Sequence, residues 1–141
     1  RNRSDKYDLI DWAETEEATM FQTHLLAYRN SLRIGVNAPR ETAERRMLVL
    51  AKNKRGDVYH IIYDITRETY LYRAADMILK DLNKQDMEVI AMMNLDTGMY
   101  NIIEAKDQRG HTFRSEGQVR EATNLLVYYY EEDSLFFLKQ K

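Results

Sequence analysis

Three histidines, His24, His60 and His111, are by type the natural general bases and metal ligands of this chain. None stands four residues from another, the spacing that sets two imidazoles on one helix face around zinc. They fall in a helical, a strand and a loop pattern, so each is read as a surface or hydrogen-bonded polar residue. Two acidic runs, Glu14/Glu16/Glu17 and Glu131-Glu132-Asp133, carry the carboxylates that a two-acid hydrolase or a divalent-cation site requires. Both runs stand at expected helix starts, where negative side chains answer the helix dipole. Cysteine is absent, which excludes thiolate nucleophiles, disulfides and thiolate metal sites. The glycines Gly35, Gly56, Gly98, Gly110 and Gly117 are dispersed as turn residues and form no phosphate-cradling loop. A softer set remains: Met87, Met92, Met93 and Met99 with Tyr59, Tyr63 and Tyr100. These either line a pocket for a small planar ligand or fill a core, since methionine adapts to varied neighbours.

The elements that must carry these residues follow from periodicity. Thr15-Glu16-Glu17 opens an expected helix over about 15–30, with Ala18, Phe21, Leu25 and Tyr28 on one face. Ser31 to Val36 is a short strand candidate, broken by Asn37-Ala38-Pro39, and Arg40 to Arg46 has no decided pattern. Arg46 to Ala51 and Val58 to Ile65 form a hairpin about the polar turn 52–56. In the return strand Tyr59, Ile61, Tyr63 and Ile65 share one face, while Val58, His60, Ile62 and Asp64 share the half-apolar other. A helix without glycine or proline is expected over about 66–85. Its stripe of Leu71, Ala74 or Ala75, Ile78 and Leu82 packs on a core or pairs with its copy as a connector. Met87 to Leu95 is apolar on both faces, as a central strand is. Asp96-Thr97-Gly98 turns it into Met99 to Ile103, and Asp107 to Gly110 is a surface turn. Ser115 and Gln118 cap an expected helix bearing Val119, Ala122, Leu126 and Tyr129, and Leu135, Phe136 and Leu138 follow in a last one.

With 141 residues, 44% of them hydrophobic, and ten tyrosines, the chain has material for a real core. Lys+Arg 21 against Asp+Glu 23 leaves a net charge of −2, which gives no footprint for nucleic acid or an anionic membrane. Arg1-Asn2-Arg3 reads as a solvated terminus. No run approaches the ~18 apolar residues of a bilayer span, so no membrane insertion is expected and the cytoplasm is the expected compartment. The start at Arg1 reads as that of an excised piece, with an anchor or output domain lying beyond either end. Hairpins without β-α-β spacing predict an α+β fold with an antiparallel sheet.

Two stretches resemble a known family. Gly56 to Thr66, GDVYHIIYDIT, resembles the last strand of a PAS domain, which commonly ends in Asp-Ile-Thr and enters a signalling helix. Val89 to Ile103, VIAMMNLDTGMYNII, is similar to the opening hairpin of PAS-like domains in bacterial diguanylate cyclases and histidine kinases. The resemblance covers about half the chain and implies a PAS-like five-stranded antiparallel sheet with flanking helices. The halves stand in reversed order, so the sheet is either permuted, domain-swapped, or cut from two neighbouring repeats. The implied organisation is a back half at 1–66, a connector helix at 67–86 and a front half at 87–141. Closure would set strand 87–95 beside strand 58–65.

The implied function is a non-catalytic sensory or dimerisation module of a bacterial signalling protein, passing its signal through the connector helix. Tyr59, Ile61, Tyr63, Met93 and Tyr100 are the expected ligand-binding residues, for a small molecule of unknown identity. Leu71, Ala75, Ile78 and Leu82 are the expected connector and homodimer residues. No cofactor, metal or catalytic residue is expected: the Gly-Gly-Asp/Glu-Glu-Phe signature of a cyclase and a phosphoacceptor-histidine motif are both absent from the sequence. Lack of cysteine excludes the family's flavin–thiol photochemistry. The alternatives are an adaptor domain with no ligand and a small acid-dependent hydrolase.

Overall fold

The computed structural model describes residues 11, 13–17, 23–38, 40–95, 102–107, 109–115 and 126. The chain divides into two compact units, Arg1–Thr97 and Gly98–Lys141. The first unit is built on one sheet of five strands: β1 (Leu25–Tyr28), β2 (Ser31–Leu32), β3 (Thr42–Lys52), β4 (Val58–Tyr70) and β5 (Glu88–Leu95). Their spatial order is β2-β1-β5-β3-β4, and every neighbouring pair is antiparallel. The helix α1 (Leu71–Lys84) joins β4 to β5. The fold class is therefore α+β with an open antiparallel sheet, as the hairpin pattern predicts.

The β3–β4 hairpin is the longest pairing. Its turn is organised by Asn53, whose side-chain oxygen accepts the N–H groups of Arg55 at 2.9 Å and Asp57 at 3.0 Å. Gly56 sits at φ +90°, a conformation that glycine reaches without a Cβ clash. Beyond Ile65 the pairing slips. Arg45 stands opposite Ile65, but Ala43 stands opposite Thr69, so 66–68 bulge from the ladder. Arg45 ties the bulge down by donating to the Thr69 carbonyl at 3.3 Å and the Glu41 carbonyl at 2.7 Å.

Several expectations give way here. Helix onset is at Leu71 rather than near Thr66, because Thr69 and Tyr70 still pair with Ala43 and Thr42. The helix expected over 15–30 is helical at 13–15, whereas Leu25–Tyr28 is strand β1; residues 18–22 lie outside the described residues. Pairing of β1 with β5 outweighs local helical periodicity. Arg29 and Asn30, both at positive φ, then make the two-residue turn whose twist suits a hairpin. The strand expected to Val36 ends at Leu32, and the undecided 40–46 stretch joins β3 from Thr42.

Strand β5 is central, as its two apolar faces predict, but its neighbours are β1 and β3. It does not lie beside 58–65, which corrects the expected pairing. Both β4 and β5 run antiparallel to β3, so they are parallel to each other with β3 between them. Together with α1 they form a split β-α-β unit, a crossover that hairpin spacing alone does not predict. The pairing of β5 with β3 also slips between Leu50 and Ala51, placing Val89 and Met92 on the same face despite their odd spacing.

That face is the core. Met47, Val49 and Ala51 of β3, Val89 and Met92 of β5, and Leu26 and Ala27 of β1 are all fully buried. They lie in one cluster with Ala74, Ala75, Ile78, Leu79 and Leu82 of α1. Alanines 74 and 75 let the helix approach the sheet closely, and the larger residues fill the space on either side. The helix closes with a Schellman turn: Met87 N–H bonds the Leu82 carbonyl at 2.9 Å and Asp86 N–H the Asn83 carbonyl at 3.2 Å. Asp86 takes the left-handed position at φ 59°.

In the second unit β6 (Glu104–Lys106) and β7 (Thr112–Arg114) form a hairpin about the expected 107–110 turn. Met99 to Asn101, and the expected helices over 119–129 and 135–138 apart from Leu126, lie outside the described residues. No helix among the described residues is long and apolar enough to cross a membrane.

Candidate functional site

The residues expected to bind a ligand divide between the two faces of the sheet. Met47, Val49 and Ala51 stand opposite Tyr63, Ile61 and Tyr59, so these three β4 residues look toward α1. Ile61 and Tyr63 pack against the core cluster, while Tyr59 remains exposed at the hairpin end. Met93 stands opposite Leu48, and Leu48 opposite Ile62, which places Met93 on the face away from the helix. Tyr100 lies outside the described residues. The structure therefore unites Tyr59, Ile61 and Tyr63 along one strand and separates Met93 from them.

The four connector residues are placed together. Ala75, Ile78 and Leu82 are buried in the core, and Leu71 packs at its margin. The stripe is covered by the chain's own sheet.

Tyr63 reaches from the core-side face of β4 to the helix. Its hydroxyl donates to Asp81 Oδ2 at 3.3 Å, and Gln85 Nε2 donates to the same oxygen at 2.9 Å. Partial burial, then the neighbouring Asp81 charge, raise the Tyr63 pKa above that of a free tyrosine. This bracket links β4 to the last turns of α1.

The opposite face carries Arg46, Leu48 and Leu50 of β3, Ala91, Met93 and Leu95 of β5, and His60, Ile62 and Asp64 of β4. Arg46 is 7% exposed, buried for its type. It bonds Asp64 Oδ1 through Nη2 at 2.9 Å and Nε at 3.1 Å. Leu48 beside it is buried, whereas Val58 and Ile62 on β4 are exposed. Sequence alternation separated these two faces of β4, but nothing local announced Arg46 as a buried cation. The signal that could have found it is Asp64, a carboxylate at the end of an otherwise apolar strand.

The outer edge of β4 has a definite polarity. Asn53 N–H bonds the Asp57 carbonyl at 3.1 Å, so 53 and 57 are a hydrogen-bonded pair. Antiparallel ladders alternate. Tyr59, Ile61, Tyr63 and Ile65 therefore turn their backbone groups toward β3, and Val58, His60, Ile62 and Asp64 turn theirs away. Among the described residues β4 is the last strand of the sheet.

Among the described residues the candidates for catalysis do not assemble. Glu14, Glu16 and Glu17 are exposed, and Glu131 to Asp133 lie outside the described residues. His111 pairs with Asp107 at 2.9 Å in the β6–β7 turn. His24 lends its backbone carbonyl to Asn94 N–H at 3.0 Å. Among the described residues no group of three or more histidines or acids could hold a metal ion. Comparison with protein-family models, curated proteins and solved structures finds no match to this chain.

Proposed function

We propose that the chain is a non-catalytic sensory or dimerisation module of a signalling protein, PAS-like in kind, with α1 as its transmitting element. The observation that supports this reading is the junction at Tyr70–Leu71. Strand β4 passes into α1 with no intervening loop residue, and the helix is then held on the sheet by Ala75, Ile78 and Leu82. A shift of β4 is a shift of the helix start, because a packed core moves between discrete arrangements rather than bending smoothly. The Tyr63–Asp81 bracket couples the same two elements at the far end of the helix.

A ligand-free interaction domain is the second reading. The division of Tyr59, Ile61 and Tyr63 from Met93 favours it, because the expected binding set does not share one cavity wall. Native mass spectrometry and sedimentation of the purified full chain test both readings. A dimer retaining a small molecule supports the sensor, and an empty dimer supports the interaction domain. A monomer without ligand across the micromolar range overturns the proposal.

A further inference from the structure

We propose that Arg29 and Arg33, gathered around the Tyr28 ring at the tip of the β1–β2 hairpin, form a docking point for an acidic peptide segment of a partner protein. The site does not involve α1, so it stands or falls apart from the sensory reading above.

The hairpin fixes where these cations stand. Arg29 and Asn30 reverse the chain at φ 49° and 58°. Asparagine tolerates that left-handed region, but a long cation there does nothing for the turn. The turn is pinned to β5: Arg29 N–H donates to the Ile90 carbonyl at 3.0 Å, and Asn30 N–H to the Val89 carbonyl at 2.8 Å. Arg33 N–H closes back onto the Leu26 carbonyl at 2.8 Å. Tyr28 stands opposite Ser31, so Arg33, two residues on, falls on the Tyr28 side of the hairpin. The guanidinium carbons of Arg29 and Arg33 lie 5.2 and 5.7 Å from the Tyr28 ring centre, within cation–π range.

Neither guanidinium has a carboxylate partner among the described residues. Lys52, Lys54 and Arg55 of the same unit do, in Glu88, Asp86 and Asp57. Attraction to a ring face leaves guanidinium N–H donors available, and their planar fork matches a carboxylate. Tyr28 stands opposite Ala91 and Leu25 opposite Met93, so both lie on the sheet face away from α1. They are 37% and 45% exposed. Two cations beside an exposed apolar strip on one strand complement a peptide that carries both acidic and apolar side chains. A nucleic-acid strand asks for a longer track of cations, against the net charge of −2.

Fluorescence anisotropy with a labelled peptide of alternating Glu and Leu tests the site, a Gln and Leu peptide being the control. The wild-type full chain is expected to bind the Glu peptide at least tenfold more tightly than the Gln peptide, and less tightly as salt rises. Arg29→Gln with Arg33→Gln should abolish that preference. Lys52→Gln with Lys54→Gln removes the same charge elsewhere and should keep it. Equal loss from both double variants overturns the site, as does a wild type with no preference for the Glu peptide. Tighter binding of a single-stranded oligonucleotide overturns the peptide assignment. Should Arg29→Gln disturb the hairpin, Arg29→Asn, which suits the left-handed turn while removing the charge, reads the same loss.

Discussion

Arg46 and Asp64 face each other across β3 and β4, and a single carboxylate oxygen accepts two guanidinium bonds, at 2.9 and 3.1 Å. The Arg46 side chain is 9% exposed and that of Asp64 27%. Such a pair is costly to break from one side and cheap to replace from both. Asp64→Ala is expected to destabilise the chain by about 1–3 kcal/mol in urea unfolding. Arg46→Met combined with Asp64→Leu should recover most of that loss. A double variant no more stable than Asp64→Ala would show that Arg46 is fixed by something other than this carboxylate.

The helix stripe supports a contrast between neighbours. Leu82 is 2% exposed and lies in the core, whereas Met77 is 51% exposed on the outer side of α1. Leu82→Ala is expected to cost about 2–5 kcal/mol. Met77→Gln should stay within about 0.5 kcal/mol of the wild type. Equal effects, measured by thermal or urea unfolding, would mean that α1 presents a different face to the sheet.

Asp86 holds a left-handed conformation at the C-terminal end of α1, where glycine has no steric cost. Its carboxylate also pairs with Lys54 Nζ at 2.8 Å, but both side chains are well exposed. Exposed pairs contribute little. Asp86→Gly is therefore expected to raise stability by about 0.5 kcal/mol, the steric relief exceeding the lost ion pair. A fall of similar size would place the balance with the Lys54 contact instead.

Tyr63 makes stability depend on alkaline pH. Its pKa is raised above 10.0 in the folded chain, first by burial and then by Asp81. The folded state thus holds the phenolic proton more tightly than the unfolded state does. The contribution is complete below the unfolded value and is lost as pH rises through the raised one. Asp81→Asn should lower the Tyr63 titration midpoint without restoring that of a free tyrosine, since burial persists. Ultraviolet titration of the two proteins measures this, and an unchanged midpoint would remove Asp81 as a cause.

Period-2 alternation in Val58 to Ile65 separated the residues that meet α1 from those that do not, and the two-sided apolarity of Met87 to Leu95 marked a central strand. These features were legible because burial dictates side-chain type residue by residue. What stayed hidden depends on distant partners. Leu25 to Tyr28 carries helical spacing and becomes strand only because β5 offers it a ladder. Thr66 to Tyr70 looks like a helix start until Ala43 and Thr42 pair with its end. The neighbours of β5 could not be deduced from composition, since two apolar faces fit any central position. Within the candidate site, Ile61 and Tyr63 were legible as inward-facing, but the separation of Met93 from them depends on the register between strands, which one chain's pattern does not encode.

The strand at the middle of the sheet is also the last of its five to be synthesised. Until Leu95 has left the ribosome, the hairpin 25–32 and the hairpin 42–70 have no common partner, and Met47, Val49 and Ala51 have no neighbour on the β5 side. The nascent chain must therefore carry two open hairpins from the completion of β4 at Tyr70 until β5 at Glu88–Leu95 can stitch them together. Long-range closure of this kind is slow and leaves sticky surface waiting. A chain halted before Met87 is expected to be a chaperone client rather than a smaller folded protein.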